Sequence, residues 1–102
     1  MQDCREWEAW HDRMPGHEPS LHVTATCTCP TSGYRLELKP HVPQGINPKD
    51  YILDLIEHKP TGPVSQVMTD VAVEYVEDTD FSYETVSITP DGPSSIPVKE
   101  VS

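Results

Sequence analysis

The chain has 102 residues, 35% of them hydrophobic, with 17 acids against 7 bases and a formal net charge of −10. That length makes one domain with a single core that needs no staples. The charge argues against nucleic acid, which requires clustered Lys and Arg, and against anionic membrane surfaces; no apolar run approaches the ~20 residues of a membrane-spanning helix.

The N-terminal stretch "MQDCREWEAWHDRM" is charged and lacks the apolar run of a secretory signal. Three cysteines fit a reducing compartment better than a disulfide framework, so the chain reads as cytoplasmic. Within this stretch Trp7, Trp10 and Met14 fall at i, i+3 and i+7, with Cys4 extending the stripe by a turn. That spacing predicts a short amphipathic helical segment ended by Pro15-Gly16. Residues 1–20 are therefore expected to pack as a segment on a domain formed by residues 21–102.

"LHVTATCTC" (Leu21–Cys29) alternates strictly. Leu21, Val23, Ala25, Cys27 and Cys29 point one way, and His22, Thr24, Thr26 and Thr28 the other, which marks a half-buried strand. "PTSG" supplies turn chemistry, with Gly33 able to take positive φ. "YRLELK" alternates again, with Leu36 and Leu38 inward, and completes a hairpin. After the proline-rich connection Pro40–Asp50, "YILDLIEH" is apolar on both faces. "VSQVMTDVAVEYVE" is a long strand with Val67, Val71, Val73 and Tyr75 inward. "FSYETVSIT" places Val86 and Ile88 on one face, and "IPVKEV" is a last short strand. About six strands joined by short turn-rich links, with 11 prolines between them, predict an all-β fold: a small antiparallel β-sandwich, immunoglobulin-like in general shape. A small open barrel is the alternative.

Candidate sites follow from what this arrangement leaves over. Cys27 and Cys29 share a strand face, where Cα atoms ~6.5–7 Å apart disfavour a mutual disulfide. His22 lies on the opposite face, so the cysteines read as small core residues; a metal or redox site would need Cys4, Cys27 and Cys29 with His11 or His17 from the N-terminal segment. "EDTDFSYE" lacks the glycine of a calcium loop and reads as a solvated tip. Asp54, between Ile52 and Ile56, needs a partner if buried, and Arg5, Arg13 or His11 are the candidates. No nucleophile elbow, phosphate loop or metalloprotease motif occurs.

The reading is thus an acidic, soluble, non-catalytic binding or assembly module without a cofactor, whose partner is a protein or a second copy of the chain. Its candidate contact residues are Trp7 and Trp10 and the loop residues Val42, Gln44, Ile46 and Asn47, although the plainer reading of Val42 and Ile46 is a plug that caps an open end of the sandwich. A third group is a second apolar face holding Ile52, Ile56 and Met68 with Ala72 and Val76. A metal or redox protein and a loop-presenting protease inhibitor are the alternatives from other classes.

Overall fold

The computed structural model describes residues 3–16, 18–89 and 92–101. Seven strands are formed: β1 (Asp3–Asp12), β2 (Ser20–Cys29), β3 (Arg35–Pro40), β4 (Asp50–His58), β5 (Thr69–Asp78), β6 (Thr85–Thr89) and β7 (Ile96–Val101). They make one mixed sheet in the order β3-β4-β6-β7-β1-β2-β5. Its two edges, β3 and β5, curl towards each other, so the sheet nearly closes into a barrel. The fold is all-β as expected. It lies nearer to the open barrel than to two antiparallel sheets packed face to face, because β1 pairs with β7, and β4 with β6, in parallel.

The hairpin of β2 and β3 strands was expected to pair with itself. The register instead pairs β2 with β1 on one side and with β5 on the other, while β3 pairs with β4. The "PTSG" turn behaves as its residues dictate: Gly33 takes φ +88°, and a Cβ there would lie 2.8 Å from Pro60 Cβ.

The expected N-terminal helix is not present; residues 3–12 are a strand inside the sheet. The misleading spacing has a local cause. Between Arg5 and Glu8 the register slips by one, so Glu6 and Trp7 together face Ala25, and Glu6 takes φ +61°. An extra residue in one strand shifts the alternation by one position. Cys4 and Trp7, three apart, therefore both turn inward, which imitates a helical period. Trp7 and Trp10 then fall on opposite faces.

The core is drawn from inward positions on every strand. Leu21, Val23, Ala25, Cys27 and Cys29 of β2, Leu36 and Leu38 of β3, Tyr51 and Leu53 of β4, Val73 of β5, and Val86 and Ile88 of β6 are buried, with Ala9 and Ile96. Burial of a Val or Leu side chain of this kind contributes ~1.5–3 kcal/mol. Val67, expected inward, precedes β5 and is exposed.

Candidate functional site

Three connections at one end of the barrel, of which residues 13–16, 18–19, 41–49 and 79–84 are described, are bonded into a single surface. The Thr79 amide donates to the Pro19 carbonyl, and the Glu84 amide to the Lys49 carbonyl at 2.9 Å. The Arg13 guanidinium donates to the Asp80 carbonyl, the Ser82 hydroxyl and the Glu100 carboxylate. His11 is buried, 1% exposed, and its Nε2–H donates to the Thr79 carbonyl at 2.7 Å. Thus two of the three residues expected to pair with Asp54, Arg13 and His11, hold the 79–84 connection instead, and the third, Arg5, pairs with Asp70.

Beneath it lies an aromatic cluster. The Tyr51 ring stacks on Tyr83, with centroids 4.7 Å apart, and Phe81 packs on Tyr83 at 4.6 Å. The Tyr51 and Tyr75 hydroxyls, 3.0 Å apart, both donate to Glu77 Oε1 at 2.9 and 2.7 Å. Burial first, then these bonds, raises the Tyr51 hydroxyl pKa far above its usual value. Burial likewise pushes Tyr75 up to about 12. This network joins β4 to β5 across the seam where the barrel stays open.

The 41–49 loop is braced by its own polar side chains. Gln44 Nε2 donates to the carbonyls of His41 and Ile52, while its Oε1 accepts the Ile52 amide at 2.9 Å. One amide side chain thereby reaches both backbone groups of Ile52 on β4, whose carbonyl also accepts the His41 amide at 2.9 Å, just beyond Pro40 where the β3 ladder ends. Asn47 accepts the Lys49 amide. His41 Nδ1–H donates to Asp54 Oδ1 at 2.8 Å. Asp54 also accepts the Thr89 hydroxyl. Chiefly through that hydroxyl, and then through His41, the Asp54 pKa is held below its usual value. The two apolar residues of the loop have no such role. Val42 is 84% and Ile46 103% exposed. Met14, Phe81 and Val101 add exposed apolar surface at the same end.

The other expected contact residues are dispersed. Trp7 packs against the core, and Trp10 stacks on His22 with the rings parallel. Ile52 and Ile56 are half-buried on the outer face of β4. Met68, 72% exposed, precedes β5 at the opposite end. The expected apolar second face is not continuous. β3, with Arg35, Glu37 and Lys39 outward, stands between β4 and the seam to β5.

The cysteines form a disulfide between Cys4 and Cys27, directly opposed on β1 and β2, and Cys29 is free and buried. Burial, and then the nearby Glu57 and Asp70 charges, raise the Cys29 thiol pKa. The bridge removes two thiolates from the metal alternative of Cys4, His11, Cys27 and Cys29, and His11 Nε2 is committed to Thr79. Among the described residues no group of three His, Cys, Asp or Glu is placed to hold a metal; His17 lies outside them. No described helix is long and apolar enough to cross a membrane. The bracing by Gln44 and Asn47 is not legible in the sequence, since a glutamine bonded to one residue of a neighbouring strand leaves no pattern there. Neither a family model, nor a curated protein, nor a solved structure matches the chain.

Proposed function

We propose that this protein is a non-catalytic protein-binding module that presents its 41–49 loop to a partner. One observation carries the reading: Val42 and Ile46 project into solvent from a loop whose polar side chains are bonded back to the sheet. Apolar side chains held out on an ordered loop lose little entropy on docking, which favours affinity. Exposed apolar residues clustered at one end are the usual mark of an interaction surface. The net charge of −10 supports a protein rather than nucleic acid or an anionic membrane as partner. The Cys4–Cys27 bridge favours an oxidising setting over the cytoplasmic one expected from three cysteines.

Photo-crosslinking from a benzophenone side chain at position 46, in extract of the source cells, tests this. A discrete adduct is expected, lost with Val42→Ser and absent when the probe sits at exposed Thr61. Equal crosslinking from positions 46 and 61 would overturn the reading.

A further inference from the structure

The bonds that hold the 41–49 loop straddle Ile46. Before it, Gln44 bonds to the His41 carbonyl and to both the amide and the carbonyl of Ile52. The His41 amide donates to that same Ile52 carbonyl, and the His41 ring is held by Asp54. After it, the Asn47 side chain accepts the Lys49 amide, and the Asn47 carbonyl accepts the Asp50 amide at 3.2 Å. The Lys49 carbonyl in turn accepts the amides of Glu84 and Thr85. Gly45 lies so close to β4 that a Cβ there would stand 3.0 Å from Ile52 Cδ1. Ile46 itself takes no part, and its side chain is as exposed as in an open chain. Residues 44–47 all avoid positive φ, so this stretch of backbone is one that any peptide adopts.

We infer that the loop enters the cleft of a serine protease as a substrate-like segment, with Ile46 in a specificity pocket that takes a branched aliphatic side chain, and is held there without net cleavage. This rests on the presentation of the 41–49 loop proposed above and names the class of its partner. A protease cleft reads one side chain in a narrow pocket, and Ile46 is one free side chain on backbone fixed at both sides. That fixing lowers the ordering cost of binding. Val42 is the poorer candidate for the pocket, because the bond after it leads to Pro43, which has no N–H. The bond after Ile46 is an ordinary amide, and the braces span it. Gln44 on its acyl side is tied to Ile52 on its amine side.

The consequence is chemical. Attack of the protease serine on the Ile46 carbonyl expels the Asn47 amine, to which the serine proton passes through the protease histidine. The braces keep that amine beside the new ester. It re-attacks, the proton returns to the serine, and the Ile46–Asn47 bond is restored. The Cys4–Cys27 bridge fits the oxidising compartments into which such proteases are secreted.

The test measures competitive inhibition of elastase, whose pocket is small and apolar, and of trypsin, whose pocket holds an aspartate. Wild type is expected to inhibit elastase and not trypsin. Ile46→Arg should lose at least about thirtyfold on elastase and gain inhibition of trypsin. Position 46 touches no core residue, and a thermal melt checks that the variant is folded. Gln44→Leu, which cuts the tie across the bond, should be split by elastase after Ile46 into two fragments seen in denatured mass, while wild type stays whole at the same enzyme ratio. Elastase inhibition indifferent to Ile46→Arg, or prompt cleavage of wild type, would overturn the inference. So would no inhibition in either matched pairing. A discrete adduct from the probe at position 46 together with no inhibition would remove the protease alone and leave the loop as a docking surface; equal crosslinking from positions 46 and 61 with no inhibition would remove both.

Discussion

Reduction of the Cys4–Cys27 bond is the perturbation whose size follows most directly from the fold. The two cysteines are 23 residues apart in sequence. A bond closing a loop of that length removes roughly 11 cal/mol/K of chain entropy from the unfolded state, or about 3.4 kcal/mol at 25 °C. Cys27 stays on the buried face of β2 whether bonded or not, so the native core changes little and the loss falls mainly on the unfolded side. For a domain of this size the melting temperature should drop by about 15 °C. The position of the bridge adds a local effect. It pins the part of β1 ahead of the slip, which pairs with β2 alone, since β7 reaches only Ala9–Asp12. Amides in this segment should exchange fastest after reduction. Thermal melts with and without a phosphine reductant, beside intact mass, make the assay; Cys4→Ser should be insensitive to reductant and Cys29→Ala should remain sensitive. Cleavage of the bond with a melting shift under about 3 °C, or three free thiols in air-purified protein, would refute the reasoning.

Other expectations test the packing and the network. Leu53→Ala should cost about 2–5 kcal/mol in denaturant melts, since Leu53 is fully buried; Ile52→Ala, on the outer face of the same strand, should cost less than half as much, and equal costs would contradict the facing of β4. Gln44→Leu removes the side-chain partners of both Ile52 backbone groups and should destabilise by about 1–2 kcal/mol. Faster exchange of the Ile52 amide is the diagnostic, and unchanged protection would sink the bracing role. The raised tyrosines give a pH dependence. Their neutral forms are favoured in the folded state, so this contribution is whole below the unfolded tyrosine pKa of ~10 and is lost as pH rises towards 12. Tyr51→Phe should flatten that alkaline limb in melts between these values; an unchanged slope would show that Tyr51 does not carry it.

Much of the fold was legible because half-buried strands write their facing into the sequence. Every inward residue expected on Leu21–Cys29 is buried, as are Leu36, Leu38, Val86 and Ile88. Alternation is a local property: each residue's face follows from its neighbours two positions away. The 41–49 loop was legible as a connection rich in turn formers, but its Val42 and Ile46 read first as a plug over an open end, and only the tertiary structure puts them in solvent.

Pairing is not local, and there the tertiary structure decided. One extra residue at Glu6 and Trp7 turned a strand into an apparent helical stripe. The parallel joining of β1 to β7 and β4 to β6 gave one curled sheet where consecutive antiparallel strands were expected. That order brought Cys4 opposite Cys27, although the cysteine count argued for free thiols. It gave Asp54 to His41 and Thr89, and sent His11 and Arg13 to the 79–84 connection. The local chain determines which face each side chain occupies; only the order and register of the strands determine which side chains meet.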